Sequence, residues 1–550
     1  MVINSVDLPS PSQLLGVGNF NEWYPGQYDL LDRCLQWYDS PSRFLGLSVP
    51  TGAGKSLSSV LLSQMVGLRT VILTATKGLQ NQYMRDFSGL GMVEVKGQNN
   101  FPCLLVPGLT ADEGPCHDGM SCDVKNNCQY HQQLKRALVS RLVITNYAYW
   151  LAQNNFSSGL GPVALLICDE AHQAFGALEG FLTLFISRME LQSLGITFPT
   201  APGNWSTWRS WAGICRPSVE LRLALLEADL RGFRVGGSAP PSGLSRSFRS
   251  AKLVLAKLDR LSTVEEDWVI QKTLHGYRFV PKWVSNYADM LFSWSPGRNK
   301  RDVDPAEIKR VAAGVPKVVL MSAILSHRTC DYLGVPKDGQ RSWIEAASHF
   351  PPENTPIWHV PTVRVNHRID DMGTGLWVSR IDQIIRRRQD RKGIIFTVSY
   401  ERARMLLARS EFKDIMVTHG TGDVVDVVEM FKKMPAPAVL LSPSVTTGYD
   451  FPANLYNIKY IIVGKIPYPD TTDPVTQSRQ KEDKSWSSYV AMETLVQECG
   501  RATRSSTDRA EILVVDDNWK WFAWQYRDFA PAWFRARIRG SLTSVPDPLV

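Results

Sequence analysis

Short, almost wholly apolar runs recur along the chain, separated by stretches whose apolar residues fall three and four positions apart. The runs read as strands buried on both faces and the stretches as helices covering them, which together predict parallel α/β sheets. The runs form two groups, 44–49, 70–74, 142–145, 164–168 and 318–321, then 393–397, 438–441, 460–463 and 512–515. Two doubly wound units are the economical reading. The first is interrupted twice, by a Cys-rich segment at 97–140 and by 174–310, where helical patterns such as 219–230 and 250–261 dominate. No repeat of fixed period and no long low-complexity tract is visible.

Composition narrows the class. A chain of 550 residues predicts three or four domains, and 44% apolar against 21% charged residues is enough to build cores. The longest apolar runs, 162–168 and 318–321, fall short of the ~18 residues of a membrane span. Residues 1–12 lack the basic and apolar regions of a secretory signal, and nine cysteines are too few for a disulfide scaffold. A cytoplasmic protein with reduced thiols is expected. Of the formal net charge of +8, residues 174–310 carry +6, from 19 Lys and Arg against 13 Asp and Glu. Within them, 231–257 holds Arg231, Arg234, Arg246, Arg249, Lys252 and Lys257 with no acid between, around the loop-like Gly-Gly-Ser-Ala-Pro-Pro-Ser-Gly. Such a stretch suits a phosphate backbone; a solvated basic loop is the plainer alternative.

Three motifs carry chemistry. After the first strand comes Thr51-Gly52-Ala53-Gly54-Lys55-Ser56, then a helical pattern. Backbone N–H groups of such a loop close around a phosphate at a helix N-terminus, Lys55 reaches the β and γ phosphates, and Ser56 can ligate Mg²⁺. Val49 stands where the longer pattern wants Gly. The second motif, Asp169-Glu170-Ala171-His172, follows an apolar run and lies 113 residues beyond Ser56 (169 − 56). Asp169 fits a Mg²⁺-holding acid and Glu170 a base for the attacking water, with His172 expected to couple the site to the opposite domain. The third, Gln497-x-x-Gly500-Arg501-x-x-Arg504, puts Arg501 and Arg504 on one helical face. Two guanidinium groups so placed can stabilise charge on a γ-phosphate bound to the other sheet.

These motifs, in this order, resemble superfamily-two helicases. Tyr24-Pro25-Gly26-Gln27 resembles the upstream glutamine motif, which implies that Gln27 reads adenine. Residues 74–82 resemble motif Ia, Ser322-Ala323-Ile324-Leu325 motif III with Ile324 replacing a hydroxyl residue, 393–400 motif IV and 446–452 motif V. Lys96-Gly97-Gln98-Asn99-Asn100-Phe101-Pro102-Cys103 resembles the opening of the cluster domain of DinG and XPD-type helicases, and 142–147 the return to the sheet. Four cysteines in the frame Cys-x12-Cys-x5-Cys-x5-Cys suit iron–sulfur or zinc by spacing alone, with His117 and His131 near enough to substitute. The resemblance implies a [4Fe–4S] cluster on Cys103, Cys116, Cys122 and Cys128.

The resemblance also implies an α/β fold of two RecA-like P-loop domains, with a Cys-rich iron–sulfur insertion and a mainly helical arch insertion in the first. The boundaries expected are 1–96 with 141–173 and 311–350 for motor domain 1, 97–140 for the cluster domain, 174–310 for the arch and 351–550 for motor domain 2. The activity implied is an ATP-dependent DNA helicase, using Mg²⁺ and moving 5′→3′, with single-stranded and forked or tailed duplex DNA as partners and no membrane. A monomer in a bacterial or phage-infected cytoplasm, associated with the nucleoid, is expected. A translocase without strand separation, an ATP-switched binding module and an RNA helicase are the alternatives. Trp205, Trp208 and Trp211 read as core in preference to base-stacking residues, and 519–539 as a docked helix pair with a basic edge.

Overall fold

The computed structural model describes residues 9–549 except 17, 19, 115, 117–121, 158, 236–240, 264–266, 294–313, 444–450 and 504. The first unit begins with β1 (Phe44–Ser48), β2 (Thr70–Thr74), β3 (Val93–Glu94), β4 (Leu142–Asn146) and β5 (Leu165–Asp169). The next segment supplies β6 (Leu184–Ser187), β7 (Trp268–Lys272) and β8 (Gly276–Pro281), after which β9 (Lys317–Ser322) and β10 (Arg341–Glu345) return to the first sheet. The second unit holds β11 (Ile357–His359), β12 (Lys392–Phe396), β13 (Met416–Thr418), β14 (Ala438–Ser442), β15 (Ile458–Val463), β16 (Glu511–Val514) and β17 (Ile538–Ser541).

Both large sheets are parallel, in the orders β10-β1-β9-β5-β2-β4-β3 and β13-β14-β12-β15-β16-β11-β17. Alternate side chains explain why these strands read as continuous apolar runs. Val71, Leu73, Val143 and Leu166 enter one core cluster, while Ile72, Ile144 and Ile167 enter another on the opposite face.

The segment 174–310 departs from its mainly helical expectation. Two long helices, Trp205–Val235 and Ser242–Thr263, pack beside an antiparallel sheet of order β6-β8-β7. Burial does not alternate along β7 or β8, so these short strands gave no clear period-two signal. The basic stretch is likewise not one loop. Arg246, Arg249, Lys252 and Lys257 stand on the second helix; Arg231 pairs with Glu227 at 2.7 Å and Lys257 with Glu190 at 2.7 Å. Trp208 and Trp211 are buried and Trp205 packs against the same core, as expected. Among the described residues, no helix is long and apolar enough to cross a membrane.

Candidate functional site

Strand order assembles the site. β9 lies between β1 and β5, in register Ser48↔Ser322 and Met321↔Asp169, so the carboxyl ends of all three reach one edge. The turn leaving β1 contains Gly52 and Gly54 at φ 78° and 75°, and Gly54 caps the helix Lys55–Val66. Thr51, Gly52, Ala53, Gly54, Lys55 and Ser56 thus form a phosphate-sized loop against a helix N-terminus. Buried Gln27 braces it: the Gln27 amide donates to Gly54 O (3.1 Å) and Ser58 Oγ (3.3 Å), and its Oε1 accepts from Tyr24 N–H (3.2 Å). The amide expected to read adenine is engaged with the loop, and a side chain at position 54 would strike it.

Asp169 is buried at the end of β5. Its Oδ2 accepts from Tyr83 Oη (2.8 Å) and its Oδ1 from Glu170 N–H (2.8 Å). Burial, then repulsion from Glu170, pushes the Asp169 carboxyl up to about 7, opposed by the nearby Lys55 ammonium. Glu170 adopts a left-handed conformation, φ 50°, rare for a residue with a side chain and typical of sites where geometry is over-determined. Its carboxylate lies 3.9 Å from Lys55 Nζ and accepts from Ser322 Oγ at 3.3 Å. Tyr83 was missed by sequence reasoning, since a tyrosine on a helix's buried face carries no motif signal; Tyr147 was read only as the end of the 142–147 motif, and its hydroxyl donates to Asp169 O (2.9 Å).

His172 takes its hydrogen bond within its own unit and lies within electrostatic reach of Arg501 of the second. It reaches across to β9 of its own unit, with Nδ1 2.7 Å from Ser322 Oγ and 3.4 Å from Glu170 Oε2. Burial is the main cause holding the imidazole down at about 4, so it is neutral near pH 7; Lys55 and Arg501 push the same way. The neighbours of Ser322 also contact the second unit. Ala323 and Ile324 are buried in the second unit's core cluster, and Trp533 Nε1 donates to Ala323 O (2.9 Å). The apolar Ile324 suits this position because its contact is hydrophobic.

Arg501 follows the helix Trp486–Cys499, almost wholly buried, and its charge reaches both His172 and Glu498. Burial pushes Glu498 up to about 8, so it is neutral near pH 7. Gln497 lines an interdomain cleft of about 760 Å³ with His172, Lys77 and Glu493. Arg504 and residues 446–450 of the fifth motif lie outside the described residues.

Glu493 is also pushed up by burial, to about 8 from an ordinary 4.5, and accepts from Tyr489 Oη at 3.0 Å. A carboxyl raised on folding contributes stability that is full below its unfolded value and is lost as pH rises toward 8. Glu493→Gln is expected to match the parent near pH 5 and to exceed it at pH 9 by on the order of 2 kcal/mol, the open cleft discounting the full shift. Thermal unfolding of both proteins across that range checks this, and parallel curves would count against it.

The four expected cluster ligands come from separate turns. Cys103 opens a loop closed by its N–H to Leu109 O (2.8 Å), and Cys128 stands at the N-cap of the helix Gln129–Val139. Burial and then the charges of Cys122, Cys103 and Cys128 raise the Cys116 thiol, which places all four within electrostatic reach. A Cβ at Gly114 would lie 2.9 Å from Cys103 Sγ, so this cradle needs glycine. Among the described residues no group of three or more donors closes around a single metal ion. The donor set, four thiols within electrostatic reach of one another, suits an iron–sulfur cluster by its chemistry. The insertion is tied to both neighbours, by Lys77 Nζ to Asn100 Oδ1 (2.9 Å) and by Arg249 Nη2 to Glu113 O.

Residues 382–537 match the family of helicase C-terminal domains. Such domains belong to nucleic-acid helicases, enzymes that hydrolyse ATP. Among solved structures, one named XPD_Helicase aligns over 95% of this chain and 100% of its own, at 14% identity and a TM-score of 0.63. The protein has the fold of an XPD-type helicase. The Xpd4 structure from S. tokodaii (14% identity, 94% of this chain and 100% of that chain, TM-score 0.59) and one named XPD_APO (13%, 94%, 100%, 0.57) share it. No curated protein matches the sequence significantly.

Proposed function

We propose that the chain is an ATP-dependent DNA helicase that moves 5′→3′ on a single strand and separates duplex ahead of it. The observation that carries this reading is the convergence of Lys55, Asp169, Glu170 and Ser322 on one sheet edge, with Arg501 presented from the second unit. Thr51 to Ser56 cradle the triphosphate and Lys55 neutralises its γ end. Ser56 and Asp169 would hold Mg²⁺, which supplies charge neutralisation between the β and γ phosphates. Glu170, aimed by its backbone and by Ser322, orients the attacking water and takes its proton. Arg501 and Arg504 stabilise the charge that develops on the transferred phosphoryl group, and Gln497 lines the approach. Closure and reopening of the two units would be carried by Ala323 and Ile324, the motif III residues seated in the second core.

Cys103, Cys116, Cys122 and Cys128 would hold a [4Fe–4S] cluster, which supplies a rigid cross-link of four turns. Replacing Cys116 with Ser is expected to remove bound iron, spare ATP hydrolysis without DNA and abolish unwinding. Iron analysis and strand displacement on the same preparation check this; intact unwinding without iron would sink the bracing role. Direction is tested with duplexes tailed at either end. Displacement from the 5′-tailed duplex alone is expected, while displacement from the 3′-tailed one overturns the polarity. DNA-stimulated hydrolysis without displacement favours a translocase, and activity on RNA tails alone an RNA helicase.

A further inference from the structure

Arg479 belongs to none of the sequence motifs. It stands on the helix Pro474–Glu482 of the second unit and is only 5% exposed, a depth at which arginines are rare unless paired. Its polar partners all come from the first unit and its insertion. Nη2 bonds the Glu179 carboxylate and donates to Pro281 O at 3.1 Å, while Nε donates to Lys282 O at 2.6 Å. Three rings surround the guanidinium, whose carbon lies 5.0 Å from the centre of Phe175, 5.8 Å from Trp283 and 5.1 Å from Trp486. The same helix is tied at both ends. At its N-cap, Asp473 Oδ1 accepts from Gln271 Nε2 at 2.5 Å, and at its last residue Glu482 Oε1 meets Lys282 Nζ at 2.6 Å.

Two elements of the ATP site end at this socket. Phe175 and Glu179 stand on the helix Ala174–Leu182, which begins four residues after Glu170 (174 − 170). Trp486 opens the helix Trp486–Cys499, which leads at its other end into Arg501. Those 14 residues span about 21 Å. Arg479 therefore clamps the start of the Arg501-bearing helix onto the helix that follows the acidic pair. Drawing it out would leave two desolvated charges without partners, so this contact resists opening while the open cleft beside it does not. With one end held, the helix can only swing, and the swing is largest at Arg501. Displacements of about 1 Å at a reacting centre are enough to change a rate 100-fold. We propose that Arg479 is a positioning residue for ATP hydrolysis, the fixed point about which the second unit closes and which sets where Arg501 meets the γ-phosphate. The inference rests on the ATP-motor reading above and adds a residue outside the phosphate loop, the acidic pair and the arginine motif.

The test is single-turnover ATP hydrolysis by the full chain, with nucleotide binding and a thermal melt on each preparation. Arg479→Met keeps an unbranched stem among the three rings and removes the fork. It is expected to slow hydrolysis about 10–100-fold while ATP affinity stays within a few-fold. The deciding measurement repeats the change in an Arg501→Ala background. There it should cost less than about two-fold, because the group that Arg479 positions is gone. Equal losses in both backgrounds are the pattern of general structural damage and overturn the inference. Glu179→Gln keeps the packing and removes one charge of the pair; it should show a smaller loss with the same dependence on Arg501, and it decides the matter where Arg479→Met does not fold. A parent protein that fails to hydrolyse ATP overturns the motor reading and this inference with it. Parental rates in both socket variants overturn this inference alone.

Discussion

Replacing Arg501 with alanine is expected to lower kcat for ATP hydrolysis by about 10³-fold or more, the range found for arginines that meet a transferring phosphoryl group. Burial and position support a large effect: Arg501 is 9% exposed at the end of the helix Trp486–Cys499, within electrostatic reach of His172 in the opposite unit. The fold should survive the change. Glu498, its neighbour, is already held neutral near pH 7 by burial, so removing the guanidinium strands no ionised carboxylate. Arg501→Lys should recover little, because an ammonium lacks the planar fork. Single-turnover hydrolysis beside a thermal melt checks this; a loss under tenfold in a folded variant would falsify the role.

Glu170→Gln is expected to cost about 10²–10⁴-fold in kcat while ATP affinity stays within a few-fold. Glutamine has nearly the same shape and can keep a hydrogen bond with Ser322, but it cannot accept a proton. Binding should persist because Lys55, Ser56 and the loop backbone are untouched. The left-handed φ of 50° at this position is set by the end of β5 and by Asp169 Oδ1 accepting the residue's own N–H, neither of which depends on the side-chain charge. Hydrolysis and nucleotide binding measured on one preparation separate these terms. Loss of both together would mean that Glu170 shapes the pocket and has no separate part in the chemistry.

The strands best read from the sequence were those buried on both faces, such as 70–74 and 460–463, since their composition alone forces burial. β3, β11 and β13, of two or three residues, and the short, little-buried edge strands β10 and β17 escaped because so few buried positions show no period to detect. The three-stranded sheet of the arch-like segment was hidden for the same reason. Among site residues, those in contiguous motifs (Lys55, Asp169, Glu170) were legible as a set. Tyr83 and Tyr147 were not, because what defines them is a hydrogen bond to a residue far along the chain.

By itself, the sequence determined the two parallel sheets, the phosphate loop with its Gly54 turn, the acidic pair after β5 and the four-cysteine frame. Each of these is local, dictated by backbone conformation, strand burial or ligand spacing within a short segment. Only the tertiary structure decided what those segments meet. Strand order placed Ser322 beside Glu170; burial left His172 neutral, with its hydrogen bond to β9; and the packing of Ile324 into the second core put an apolar contact where a hydroxyl residue is usual. Such long-range contacts depend on which surfaces exclude water together, and no spacing along the chain encodes that.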